Sequence, residues 1–226
     1  MSCFWCGERR RGDGAVIDDP VSVVVLAAYA SLALELSVFA VPSEASTRQL
    51  VASSPSDEPD GDLDAARGRS KIEKLLRFGL PTVLGVALFL VPIVLVFLPE
   101  RIEYVWPISA LQTTWLPWLG VGLIVAGRGL TLRAAMRLRR RSAQQVTRQL
   151  EFDGVFGFTR NPILVGMYLF YLGNCCVFPC VVLVAGLPPY VLYMHARVRM
   201  EEGYLARELG EPYEAYLRRV PRYLLF

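Results

Sequence analysis

The segment DGVFGFTRNPILVG at residues 153–166 lies between two apolar regions and decides how the chain is arranged. Its glycines free the backbone to turn, and Pro162 fits the first turn of a helix, where no amide hydrogen bond is lost. Arg160 and Asn161 are therefore predicted at the entrance to an apolar helix. After one apolar hairpin the chain returns with four charged residues: Arg197, Arg199, Glu201 and Glu202. Because both clusters flank one hairpin, they are predicted to lie on the same side of a bilayer and to form one site.

The composition favours an integral membrane protein. The chain has 226 residues, enough for one domain. Of these residues 54% are hydrophobic, and the mean hydropathy is +0.37. The apolar residues are concentrated in long runs with few charges, and the formal net charge is only +3. We therefore expect membrane lipids as partners and no nucleic acid.

A metal site is not expected. His195 is the only histidine, which excludes a histidine-rich site. Cys3 and Cys6 form a single CxxC with no second pair, whereas zinc needs about four ligands. The three other cysteines lie in one apolar stretch and are interpreted as buried thiols.

The apolar runs predict an all-α, polytopic membrane fold with about five transmembrane helices. Runs 21–41, 80–98 and about 111–132 each suffice to span roughly 30 Å of hydrocarbon as a helix. Run 163–194 is too long for one span and predicts a C-terminal helical hairpin that turns near 178–180.

Two regions follow from this pattern. Residues 1–78 contain the first span and a polar, flexible loop at 42–68. Residues 79–226 contain the other spans and both charged clusters. A signal peptide is the alternative interpretation of the first apolar run.

Charged and small residues interrupt the predicted spans. Glu35 in the first span is either a functional carboxylate or one that snorkels or pairs with a neighbouring helix. Arg128 in the third span should face protein or water rather than lipid. The third span also contains glycines at 120, 122, 127 and 129, which let helices approach closely or leave room for the flat face of a ligand.

The arginines predict the orientation. Residues 133–148 carry six arginines and form a basic loop or a solvated helix at the lipid headgroups, which the positive-inside rule assigns to the cytoplasm. An amphipathic helix at 195–209 and a short aromatic and basic tail follow the hairpin into the same compartment. The sequence thus predicts a multi-pass protein with its site facing the cytosol.

The two clusters offer complementary binding chemistry. Carboxylates accept hydrogen bonds from ribose hydroxyls or an ammonium group, arginine binds a carboxylate through two hydrogen bonds, and an amide reads a base edge or a backbone group. This combination fits a zwitterionic, nucleotide-like cofactor. The alternative is structural, because a pair such as Arg197–Glu201 at i,i+4 stabilises any helix by about 0.2–0.5 kcal/mol.

The two segments resemble the isoprenylcysteine carboxyl methyltransferase and phospholipid methyltransferase superfamily of membrane enzymes. That family has roughly G-P-Y-R-Y-x-R-[HN]-P-x-Y-x-G, a hairpin, and then R-x-x-x-E-E-x-x-L-x-x-x-F-G-x-x-Y-x-x-Y-x-x-x-V-P. This chain has DGVFGFTRNPILVG, a hairpin, and then RVRMEEGYLARELGEPYEAYLRRVPRYLLF. The resemblance covers residues 150–226 well and the third span loosely, and residues 1–75 lie outside it.

The resemblance implies a methyltransferase with S-adenosylmethionine as methyl donor, bound in a cytosolic pocket between the two segments. The cofactor-binding residues that it implies are Arg160, Asn161, Pro162, Gly166, Arg199, Glu201 and Glu202. Arg199 and Arg219 are implied as catalytic residues that orient a carboxylate acceptor, and Tyr213 falls in the same closing segment. The implied acceptor is an isoprenylated cysteine carboxylate or a related lipid or small molecule. A carboxylate is ionised at neutral pH and needs no general base, so proximity supplies most of the catalysis.

Departures from the family pattern support other functions. Val155, Phe156 and Gly157 occupy positions where the family has proline, tyrosine and arginine, Leu164 replaces a tyrosine, and Leu209 replaces an aromatic residue. A second hypothesis is therefore a non-catalytic membrane scaffold of the same fold. A third is a membrane sterol-type reductase, which would need a nicotinamide phosphate clamp and more spans.

Overall fold

The computed structural model describes residues 19–39, 80–143 and 154–224. Numbered in chain order, the α-helices of these residues are α1 (Pro20–Phe39), α2 (Leu80–Phe97), α3 (Leu116–Ala143), α4 (Val155–Phe158), α5 (Pro162–Val177), α6 (Val181–Leu209) and α7 (Glu211–Arg219). Two 3-10 helices, Pro99–Val105 and Ser109–Leu111, connect α2 to α3. Apart from an isolated antiparallel bridge between Pro107 and Cys180, the regular structure of the described residues is helical, which confirms the all-α prediction.

The predicted apolar runs all form helices. The observed α1 and α2 lie within one or two residues of the predicted first and second spans, and the predicted hairpin turns between the end of α5 at Val177 and the start of α6 at Val181. The Cys3–Cys6 pair, the polar loop 42–68 and the end of the basic segment at 144–148 lie outside the described residues.

Helices extend into two segments that lie outside the predicted spans. Of the two interpretations of the basic segment, a loop or a helix, the residues up to Ala143 adopt the helix and continue α3, because alanine, leucine, arginine and methionine are strong helix formers. The tail after Gly210 also folds, into α7. Pro212 occupies the first turn of α7, where its missing amide hydrogen costs nothing, and acidic residues at the start and arginines at the end complement the helix dipole.

The helices α3 and α5 approach closely through glycines. A Cβ atom at Gly127 would lie 2.5 Å from the carbonyl oxygen of Gly166, and one at Gly120 would lie 2.6 Å from that of Gly173. At Gly122 and Gly129 an added Cβ would have no neighbour within 4 Å. Close packing therefore explains the glycines at 120 and 127.

An ion pair between the buried Arg128 and the partly buried Glu35 joins α1 to α3. Nη2 of Arg128 donates to Oε2 of Glu35 at 2.6 Å. The same guanidinium donates from Nε to Oγ of Ser31 and from Nη1 to Oγ1 of Thr131, both at 3.0 Å. Of the two interpretations of Glu35, pairing with a neighbouring helix is the one observed, and Arg128 faces protein as predicted.

Two of the described helices are long and apolar enough to cross a membrane, at Leu116–Arg139 and Val181–Arg207. Only 17% of the most apolar 18-residue window of the second is buried inside the protein. Three shorter apolar helices, Pro20–Glu35, Gly85–Phe97 and Pro162–Val177, accompany them. Two helices of spanning length agree with a membrane location, and the number of five spans stays a prediction.

Candidate functional site

The segment before α5 turns sharply at Gly154, whose φ of +67° lies in the region that favours glycine. One helical turn follows as α4, and Thr159 then extends the backbone at φ −151° and ψ 142°. Pro162 begins α5, as predicted, and Asn161 immediately precedes it. This geometry places Arg160 and Asn161 at the N-terminal end of α5.

The C-terminal segment lies directly against these residues. Gly210, with φ +62°, ends α6 and redirects the chain into α7. After α7 the backbone returns, and the amide of Arg160 donates to the carbonyl of Pro221 at 3.0 Å. The carbonyl of Arg222 accepts from Oγ1 of Thr159 at 3.1 Å and from Nδ2 of Asn161 at 3.2 Å. The two segments predicted from the sequence to form one site are therefore in contact.

A carboxylate lies at the centre of the contact. Glu202 on α6 is only 7% exposed. Arg222 donates to its Oε2 from Nε at 2.9 Å and from Nη2 at 2.6 Å. Nη1 of Arg160 lies 3.3 Å from Oε1. Hydrogen bonding to Glu202 raises the pKa of the Arg222 guanidinium above its ordinary value. Because arginine side chains stay charged in proteins, the cluster brings two positive charges to one acidic side chain.

The cluster has unused hydrogen-bonding capacity. Among the described residues, Nε of Arg160 and Oε1 of Glu202 are buried and have no hydrogen-bond partner. The 3.3 Å approach of Arg160 to Glu202 is thus an ion pair without hydrogen-bond geometry. Tyr213 is buried nearby, and burial, together with the negative charge of Glu202, raises the pKa of its hydroxyl. A donor, an acceptor and a neutral phenol are therefore collected at one place.

Tyrosines and the single histidine extend the site beyond the ionic cluster. Nδ1 of His195 lies 3.1 Å from the hydroxyl of Tyr223, the residue after Arg222. The ring of Tyr223 is 6.0 Å from that of Tyr168, which is 5.9 Å from that of Tyr190. An aromatic wall thus runs from the cluster along α5 and α6 toward the middle of the helices.

The structure separates the predicted site residues into two groups. Arg160, Asn161 and Glu202 meet in the cluster, with Pro162 buried at the start of α5 beside them. Gly166 lies farther along α5, where its Cβ direction faces Gly127 and Thr131 of α3.

The other predicted residues are on the surface. Glu201 is exposed and pairs with Arg197 of the preceding turn at 3.0 Å. Arg199 and Arg219 are exposed as well. The two adjacent glutamates, which the sequence treats alike, thus have different environments, and only Glu202 belongs to the cluster.

Sequence reasoning missed Arg222 as a site residue. Its signal was its position directly after Val220 and Pro221, the pair that closes the second segment. A second signal was available for Glu202, because it lies four residues after Val198 on α6 and therefore on the same helix face. Val198 is 4% exposed, so the apolar periodicity of α6 would have selected Glu202 over Glu201.

No group of three or more histidine, cysteine, aspartate or glutamate side chains in the described ranges is placed to hold a metal ion. The expectation of a metal-free site stays a prediction.

The chain matches no protein-family model, no curated protein and no solved structure. The resemblance of its two segments to the membrane methyltransferases therefore stays a prediction.

Proposed function

We propose that this chain is a membrane methyltransferase that binds S-adenosylmethionine at the cluster of Arg160, Glu202 and Arg222. The observation that carries the proposal is the pair of buried polar atoms, Nε of Arg160 and Oε1 of Glu202, without a partner among the described residues. Buried polar groups are nearly always hydrogen-bonded. A ligand that presents an acceptor to one atom and a donor to the other would complete the site.

The residues fit the charges of this cofactor, which supplies, when bound, a methyl group on a positively charged sulfur. Oε1 of Glu202 would accept a hydrogen bond from a ribose hydroxyl or an ammonium group, and Nε of Arg160 would donate to a carboxylate. The hydroxyl of Tyr213 is protonated at neutral pH, as any tyrosine is, and its raised pKa reinforces this, so it can donate a further hydrogen bond.

The acceptor that we propose is an isoprenylated cysteine carboxylate or a related lipid. A carboxylate is ionised at neutral pH, so the protein needs only to hold it near the methyl group in the correct orientation. Arg199 and Arg219 are the proposed orienting residues, and their exposure leaves both guanidinium groups accessible to an acceptor.

The proposal includes the arrangement in the membrane. Helices α1, α2, α3, α5 and α6 would span the bilayer, and the arginine-rich end of α3 would face the cytosol. The Glu202 cluster, at the same end as the start of α5, would then open to the cytosol, where the cofactor is found. The acceptor would enter sideways between α3 and α5.

A second function, a non-catalytic scaffold, is favoured by a different observation. Arg222 already donates two hydrogen bonds to Glu202, and the carbonyls of Pro221 and Arg222 bind residues 159–161. The cluster therefore joins two segments of the chain even without a ligand.

The test is a calorimetric titration of the full chain in detergent with S-adenosylmethionine and S-adenosylhomocysteine. We expect both to bind and to stabilise the folded state, by about 2.7 kcal/mol at 100 times Kd. Glu202→Gln should abolish binding because it removes the charge at the unpartnered oxygen. Glu201→Gln is the matched control, one residue away and exposed, and should bind like the unchanged protein.

A third variant separates binding from folding. Arg160→Lys keeps the positive charge beside Glu202 but removes Nε, and we expect binding to weaken by about tenfold or more, the effect of losing one hydrogen bond to a charged group. Binding unchanged in both Glu202→Gln and Arg160→Lys would disprove the site. No binding of either ligand to the unchanged protein would favour the scaffold.

A further inference from the structure

A cleft lies at the opposite end of the helices from Glu202. Its volume is about 410 Å³, and it lies against α2. Two polar residues, Arg101 and Tyr104, lie at its edge. Its walls are apolar and are formed by Ala87, Leu90, Val91, Val94, Leu95 and Val105. The volume is within the range of about 300–1,000 Å³ that is typical of sites for small ligands. The 16 residues of α5 separate the two ends by about 24 Å at 1.5 Å per residue, so this cleft is distinct from the proposed cofactor site.

The 3-10 helix that borders the cleft is held in a defined position by the turn that follows it. The 3-10 helix Pro99–Val105 continues directly from α2, and Trp106 then adopts φ 53° and ψ 83°, a conformation that is unfavourable for a bulky side chain. Backbone hydrogen bonds from Val181 to Trp106 at 2.9 Å and from Ile108 to Pro179 at 2.8 Å fix this turn to the α5–α6 hairpin. Such backbone strain persists only where the surroundings fix it.

The edge and the walls of the cleft differ in chemistry. Arg101 is exposed, and its guanidinium carbon lies 5.5 Å from the ring centroid of Tyr104, so the two groups stack at the edge. Guanidinium binds phosphate through a planar set of donors. Leu90 and Val94, at 51% and 46% exposed, form an apolar surface along α2, which suits a hydrocarbon chain rather than a second polar group.

We propose that this cleft binds a phospholipid, with the phosphate on Arg101 and one acyl chain along Leu90 and Val94. Charge complementarity supports this occupant, because a positive edge above an apolar wall matches a phosphate above an acyl chain. The exposed Glu103 on the same 3-10 helix disfavours ligands with additional negative charge. The site does not depend on methyltransferase activity.

The test uses the full chain in detergent, stripped of lipid, and short-chain phosphatidylglycerol as the ligand. Diacylglycerol of the same chain length and inorganic phosphate are the comparison ligands. We expect phosphatidylglycerol to bind more tightly than either. Arg101→Gln should weaken its binding by about tenfold or more, the loss of a hydrogen-bonded charge, and leave diacylglycerol binding unchanged. Arg133→Gln, an exposed arginine on α3, is the matched control and should have no effect.

A second variant tests the apolar wall. Val94→Trp fills the cleft from an exposed position on α2, so the variant is compatible with folding. It should weaken the binding of both phosphatidylglycerol and diacylglycerol. Leu90→Trp should do the same. Diacylglycerol binding as tight as phosphatidylglycerol would overturn the role of Arg101, and lipid binding unchanged in both tryptophan variants would overturn the cleft. Inorganic phosphate binding as tightly as the lipid would show a simple anion site instead.

Discussion

Glu35, which is partly buried, and Glu202, which is buried, are both paired with arginine, but their surroundings differ. At Glu35, all three nitrogens of the Arg128 guanidinium donate hydrogen bonds, one to the carboxylate at 2.6 Å and two to hydroxyl groups at 3.0 Å. At Glu202, two arginines approach one carboxylate, and Arg160 Nε and Glu202 Oε1 still have no hydrogen-bond partner in the described parts of the chain. The guanidinium of Arg128 thus uses all its nitrogens within the protein, whereas the Glu202 cluster retains a buried donor and a buried acceptor without partners.

Position explains the difference. Arg128 lies in the middle of α3, in a stretch long and apolar enough to cross a membrane, and a charge in such a stretch needs partners within the protein. Arg160 precedes the first turn of α5, at one end of the helices rather than within an apolar span. The comparison supports a structural role for Glu35 and agrees with the binding role proposed for Glu202, and each role can be tested by a substitution.

The largest expected effect is on stability, from breaking the ion pair of Glu35 and Arg128. Glu35→Ala leaves Arg128 buried without its counter-charge, and such a loss typically costs about 3–5 kcal/mol. We expect a matching fall in the free energy of unfolding in detergent. Ligand binding at Glu202 should persist in the protein that remains folded.

The control for Glu35→Ala replaces both partners. Because an apolar pair of similar volume is often as stable as a buried ion pair, Glu35→Leu with Arg128→Met should recover most of the lost stability. The loss of an exposed ion pair costs less than about 1 kcal/mol. If Glu35→Ala alone lowers the unfolding free energy by no more than this, the structural role of Glu35 is contradicted.

An intermediate effect is expected at the α3–α5 contact, which positions Arg128 relative to the start of α5. A Cβ atom in Gly127→Ala would lie 2.5 Å from the backbone oxygen of Gly166, so the helices must separate, at a cost of about 1–3 kcal/mol. Thermal unfolding in detergent measures this loss.

Gly129→Ala provides the matched control two residues away, where an added Cβ has no neighbour within 4 Å. Because alanine is the better helix former by about 1 kcal/mol, this variant should be as stable as the unchanged protein or more so. An equal loss of thermal stability in Gly127→Ala and Gly129→Ala would mean that α3 and α5 do not approach each other as described.

The sequence predicted the positions of the helices better than the contacts between their side chains. The lengths of the apolar runs alone located α1, α2 and the α5–α6 hairpin, because a helix whose surface contacts only protein or lipid needs a long run of residues without charge. It also located Arg160 and Glu202 at one end of the hairpin. It did not reveal that Glu35 pairs with Arg128, since the pairing depends on how α1 packs against α3, across 93 residues of sequence.

Arg222 was missed for a related reason. Its contact with Glu202 requires the positive φ at Gly210, the helix α7 and the return of the chain to Thr159. The sequence is compatible with each of these local structures, but the contact between Arg222 and Glu202 depends on their combined geometry, which the sequence does not show. The different environments of Glu201 and Glu202, by contrast, follow from helix periodicity, and that difference supplies the last prediction.

The smallest expected effect is at the exposed pair of Arg197 and Glu201. Their side chains are 50% and 58% exposed at a distance of 3.0 Å, so solvent and salt screen the attraction. Arg197→Ala should lower the unfolding free energy by only about 0.2–0.5 kcal/mol, a difference that disappears at high salt. Chemical unfolding at two salt concentrations measures it. A loss above about 1 kcal/mol, or one that salt does not reduce, would mean that Glu201 belongs to a buried cluster like that of Glu202.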